Sequence, residues 1–171
     1  MLPGGLVFEI QHRGNSAAAR PLLRWLAVAA VSALAGCIYD VPITASGNRN
    51  IDATLLGDWH SKDGKEQLKI RELNGTTYLL LLNGDPFRAY HSDFAGVPFV
   101  SVQDLDKPEQ KFTYLKYALS PDGMTLTAFA INSDTLPKTV RTSAAVRKLL
   151  RQNLANPKLY VDEPLELVKQ R

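Results

Sequence analysis

The stretch Glu66-Gln67-Leu68-Lys69-Ile70-Arg71-Glu72-Leu73-Asn74-Gly75-Thr76-Thr77-Tyr78-Leu79-Leu80-Leu81-Leu82 decides the fold. In its first half, Leu68 and Ile70 alternate with Lys69 and Arg71. That period of two places one face of a strand in a core and the other in water. Asn74-Gly75 follows, a pair that accepts the positive φ angles of a tight hairpin. The second half is apolar on both faces, which predicts a central strand covered on both sides, with a helix as the candidate cover.

Outward from this hairpin the same punctuation continues. Lys62-Asp63-Gly64, Asn83-Gly84-Asp85, Ala95-Gly96 and Ser120-Pro121-Asp122-Gly123 divide the chain at the 8–12-residue spacing of an all-β meander. Candidate strands fall at 55–60, 66–73, 77–82, 87–92, 99–104, 111–119 and 125–131. The β pattern then stops. Thr142 or Ser143 caps a helix running to about Leu154, with Asn156-Pro157 ending it. Val146, Leu149, Leu150 and Leu154 form one stripe, and Arg147, Lys148 and Arg151 the other. The Leu stripe suits packing on the sheet; the alternative is a helix for a partner or a membrane surface. The expected fold is mainly β: an antiparallel meander of about seven strands, curled into an open or partial barrel, with one C-terminal helix packed against it. This domain spans 53–157, and the tail 158–171, with Pro164, is expected to fray.

The N-terminal 36 residues have a different composition. Arg20 and Arg24 precede an apolar run, Trp25 to Leu34, that exits through Ala35-Gly36 to Cys37. A basic start, a short apolar run and small residues make a secretory signal peptide. About 20 apolar residues are needed to span a bilayer, and this run is shorter. Leu34-Ala35-Gly36-Cys37 resembles the lipobox of bacterial lipoproteins, and the Cys is the only one in the chain. The resemblance implies diacylglyceryl attachment at the Cys37 sulfur, cleavage between Gly36 and Cys37, and acylation of the new amino terminus. Two or more acyl chains anchor stably, each buried CH₂ contributing about 0.8 kcal/mol. Ile38, where these lipoproteins carry Asp for inner-membrane retention, implies the outer membrane, with the domain facing the periplasm. Residues 1–15, with Glu9, lie upstream of the usual compact basic start and are expected to be a dispensable leader. Residues 37–52 read as a flexible lipidated tether of about 20–25 Å.

The chain carries 20 Lys+Arg against 17 Asp+Glu. Without residues 1–36 the balance is 17 to 16, a net charge of +1 over 135 residues. The dense basic face required by nucleic acid is missing from that balance, so no nucleic-acid partner is expected. A single Cys precludes an intrachain disulfide or Cys-rich zinc site. With no nucleotide-binding Gly loop either, no cofactor or metal is expected.

Gly57-Asp58-Trp59 resembles the G-x-W of lipocalins and related ligand-binding barrels. The resemblance implies that Trp59 plugs one barrel end and that Gly57 permits close packing; the other reading makes Trp59 an ordinary core anchor. The chain departs from the family in having seven predicted strands rather than eight, and no Arg on the last of them to stack over Trp59.

The densest polar stretch is Phe87-Arg88-Ala89-Tyr90-His91-Ser92-Asp93. Arg88, Tyr90 and Ser92 share one strand face; Ala89, His91 and Asp93 share the other. His91 and Asp93 are expected to hydrogen-bond each other or the adjacent turn. A hydrolase would need Ser92 or Ser101 aligned on His91, yet Ser92 lies on the opposite face and no G-x-S-x-G elbow exists. His60 and His91 lack metal-ligand spacing. The binding patch suggested here is Arg88, Tyr90, His91 and Asp93, with the Arg gripping a carboxylate or phosphate. The functional expectation is a non-enzymatic, lipid-anchored envelope lipoprotein whose β domain contacts a protein or the cell-wall layer. The alternative is a lipocalin-like carrier of a small apolar ligand.

Overall fold

The computed structural model describes residues 39–170. The signal segment 1–36 with its leader 1–15, the cleavage site at Gly36, the lipidation site at Cys37 and the neighbouring Ile38 lie outside the described residues.

Eight antiparallel strands follow one another in sequence order: β1 (Gly57–Ser61), β2 (Gln67–Asn74), β3 (Thr77–Leu82), β4 (Asp85–His91), β5 (Phe99–Asp104), β6 (Phe112–Leu119), β7 (Thr125–Ala130) and β8 (Leu165–Lys169). β8 pairs with both β7 and β1, so the sheet closes into a barrel. Seven of these strands match the alternating segments of the sequence. The open or partial barrel of seven is corrected by the eighth, which occupies the tail expected to fray. Closure gives β8 a partner on each side and leaves the sheet no open edge. The β3–β4 hairpin turns through Asn83 (φ 53°) and Gly84 (φ 100°), the double positive φ that Asn-Gly tolerates.

Alternation along the strands sorts side chains into two cores. Inside the barrel lie Trp59, Leu68, Ile70, Tyr78, Ala89, Val102, Leu126 and Leu167. Outside, the exterior faces of β4–β6 contribute Tyr90, Phe99, Phe112 and Tyr114 to a second core. The β7–β8 crossover covers it. Its helix α1 (Ser143–Asn153) is capped by Thr142, whose side chain accepts from Ala145 N at 3.2 Å, and buries Val146 and Leu150. Packing by this apolar stripe agrees with the sequence. The helix does not cover β3, however, and Leu79 and Leu81 on the outside of that strand stay partly exposed. The larger aromatic surface of β5 and β6 wins the helix because it offers more apolar area to bury.

Residues 39–52 form no free tether. Tyr39 exchanges both backbone hydrogen bonds with Phe112, each 2.8 Å, and stacks on Tyr114 with ring centroids 4.3 Å apart. Ile43 is fully buried. The chain then crosses one barrel end, where Ile51 N donates to Gly75 O at 3.0 Å and Leu55 enters the inner core. Two buried apolar side chains, four residues apart with Pro42 between them, are too few to set a period, which explains why this strap reads as coil.

Candidate functional site

The barrel interior is apolar. It retains a cavity of about 80 Å³ among Leu80, Leu82, Phe87, Val100, Leu115, Ala128 and their neighbours. Ligand pockets for drug-sized molecules run to about 300–1,000 Å³. The interior is therefore largely filled, with space for only a small or narrow apolar group. Leu82, Phe87 and Leu165, interior residues at the end away from the strap, are only partly buried, and this end is the more open one.

At the strapped end stands Trp59, 1% exposed. Its Nε1 donates to Leu55 O at 2.9 Å, joining wall to plug. The sequence offered no Arg to stack on this ring; β8 supplies Lys169 instead, with Nζ 5.1 Å from the indole centroid. Gly57 (φ 139°) is what admits it: a Cβ there would stand 2.8 Å from Lys169 Cε. Gly57 thus lies in close approach to β8, and Trp59 is buried in the inner core at the strapped end.

A polar cluster lies on the same closed side. His91, fully buried, pairs its Nε2 with the Tyr78 hydroxyl at 2.8 Å. That hydroxyl also accepts from Asp52 N. Nδ1 faces Asp93 Oδ1 at 3.9 Å, too far for a hydrogen bond, and neither atom has another hydrogen-bond partner among the described residues. The expected His91–Asp93 bond is therefore not formed. Asp93 is held elsewhere: its carboxylate pairs with Arg49 at 2.8 Å, and its backbone is clasped on both sides by the Asn48 side chain. Arg49 also donates to the Tyr117 hydroxyl. Burial lowers the His91 pKa, Arg49 lowers it further, and Asp93 and Asp52 oppose them. Burial pushes Tyr78 up to about 12. These groups lock the strap to three strands.

Arg88 and Tyr90 lie on the opposite, outer face of β4. They share a surface groove of about 470 Å³ with Ser46, Gly47 and Thr76. Tyr90 donates to Thr44 O at 3.2 Å, and Arg88 to the Gln103 side chain. Arg88 and Tyr90 come together, then, while His91 and Asp93 belong to the closed-end cluster; the four form no single patch. Ser92 and Ser101 are buried beneath the strap, where their hydroxyls bond each other at 2.8 Å, and neither bonds to His91. Tyr78, Arg49, Asp52, Tyr117 and Lys169 had no sequence signal, because only barrel closure and the strap bring them together.

Comparison of the chain with protein-family models, curated proteins and solved structures gave no match. The fold and the interior define an eight-stranded antiparallel barrel with an apolar lumen, crossed at one end by the strap.

Proposed function

We propose that this chain is an envelope lipoprotein, anchored through Cys37 at the outer membrane, whose barrel is a non-enzymatic module for contact with a protein or the cell-wall layer. The observation that carries this reading is the filled interior: a lumen reduced to about 80 Å³ leaves recognition to the outer surface. The strap supports it too. Tyr39 is already buried against the barrel, so the anchored residue is only two peptide units, about 7 Å at full extension, from the folded wall. The barrel is then held at the lipid surface with little freedom to swing.

A second reading, a carrier of a small apolar ligand, is favoured by the apolar lining and the partly open end opposite Trp59. Native mass spectrometry of the barrel purified from a bacterial extract separates the two. The first reading expects the bare chain mass; a stoichiometric bound apolar molecule would establish the second. The anchor is tested by fractionating cells that express the Cys37→Ser chain, which is expected to leave the envelope pellet after detergent-free washing at high salt.

A further inference from the structure

Between Asp134 and Asp162 the chain holds six cations, Lys138, Arg141, Arg147, Lys148, Arg151 and Lys158, and no carboxylate. The rest of residues 37–171 has 11 cations and 16 carboxylates, a net of −5. A near-neutral total therefore conceals a molecule of two signs, with the positive charge gathered in the β7–β8 crossover.

The fold turns this run into a surface. α1 buries Val146 and Leu150 against the outer core; Lys148 is exposed, Arg151 is exposed with its guanidinium 5.1 Å from the Phe94 ring centroid, and Lys138 and Lys158 are exposed on the segments before and after the helix. Among the described residues, no carboxylate pairs with any of these four. Arg141 is the exception, held by Asp40, and Arg147 is turned inward to donate to Ile43 O at 2.8 Å.

The strap fixes where this surface points. Tyr39 donates its hydroxyl to Leu136 O at 2.8 Å, Asp40 binds Arg141, and Ser143 Oγ donates to Pro42 O at 2.6 Å. Residues 39–43, the start of the strap, are thus stitched to the β7–β8 crossover. Each cation near an anionic bilayer contributes to attachment over about one Debye length, and several together make a second membrane signal beside an acyl chain.

We propose that the outer face of the crossover, through Lys138, Lys148, Arg151 and Lys158, docks on an anionic bilayer surface and lays the barrel on its side against the membrane. The orientation deepens the lipid-anchored reading and rests on it; the docking itself does not need the lipid.

The test uses residues 39–171, which contain all eight strands of the closed barrel and both cores found among the described residues. Without Cys37 this fragment has no acyl chain. Its co-sedimentation is measured with vesicles of phosphatidylcholine, with and without phosphatidylglycerol, at low and high salt. Expected is binding to the anionic vesicles alone, abolished by salt and weakened at least about tenfold by joint Lys138→Gln, Lys148→Gln, Arg151→Gln and Lys158→Gln. A control carrying Lys62→Gln, Lys65→Gln, Lys69→Gln and Lys107→Gln keeps its affinity. Both variants are checked for the parent's unfolding midpoint. Equal binding to both vesicle types, equal loss in both variants, or stronger binding to a DNA duplex than to anionic vesicles overturns the proposal. If the fragment docks as expected while full-length Cys37→Ser still pellets with envelopes like the parent after the high-salt wash that abolishes docking, the docking stands and the anchor falls.

Discussion

Lys169 in the last strand stands directly across from Trp59 in the first, its ammonium 5.1 Å from the indole centroid and 2.7 Å from Thr54 O. One side chain thereby joins the two ends of the sheet to the 3-10 turn Ala53–Leu55 beneath them. Lys169→Met keeps much of the aliphatic stem and removes the charge. The expected loss is about 1–2 kcal/mol of unfolding free energy, from the cation–π contact and one hydrogen bond to a charged donor. Urea unfolding followed by Trp fluorescence reads it.

Gly57 makes that contact geometrically feasible. Gly57→Ala places a methyl 2.8 Å from Lys169 Cε and forces a side chain into φ 139°. About 1–3 kcal/mol of destabilisation is expected. In a double-mutant cycle, Lys169→Ala recovers the part due to the collision and leaves the part due to the backbone. Full additivity of the two changes would show that Gly57 and Lys169 do not interact.

His91 gives the barrel an acid-side weakness. Its pKa is lowered from 6.5 by burial and by Arg49, against the opposing charges of Asp93 and Asp52. Below 6.5 the unfolded chain takes up a proton that the folded chain refuses, so stability falls as pH falls through this window. The carboxylates with lowered values, among them Asp40, Asp52 and Asp104, lose their contribution only below 3.8, in a separate window. His91→Gln is expected to flatten the upper window and leave the lower one. Urea midpoints measured across both windows decide it; an unchanged upper slope removes His91 from the explanation.

The residual lumen offers a test of the carrier reading. Ala128 lines the cavity on β7 and is only partly buried. Ala128→Leu fills the space with one side chain. The cost is expected to stay within about 1–2 kcal/mol because the void accepts the added methyl groups. If the barrel carries an apolar ligand, this variant loses it; if retention is unchanged, the lumen is not where that ligand sits.

Most of the wall could be read from residue order. Leu68 and Ile70 opposite Lys69 and Arg71, with Asn74-Gly75 and Asn83-Gly84 as turns, mark β2, β3 and β4 because period and turn chemistry are local. β8 was illegible because Leu165–Lys169 is short, follows Pro164 and sits near the chain end, and it takes its stability from pairing on both sides. The strap was illegible for a related reason: Tyr39 and Ile43 are bound by β5 and β6, elements remote in sequence. At the candidate site, the alternation of β4 correctly parted Arg88 and Tyr90 from His91. The partners of His91 were hidden, since Tyr78 comes from another strand and Arg49 and Asp52 from the strap.

The central claim is that the barrel begins beside a lipidated Cys37. Intact-mass and top-down fragmentation of the chain purified from a Gram-negative envelope tests it most directly. The account predicts an amino terminus at Cys37 carrying a diacylglyceryl thioether and an N-acyl chain. A chain that starts at Met1, or at Cys37 with an unmodified thiol, would contradict it.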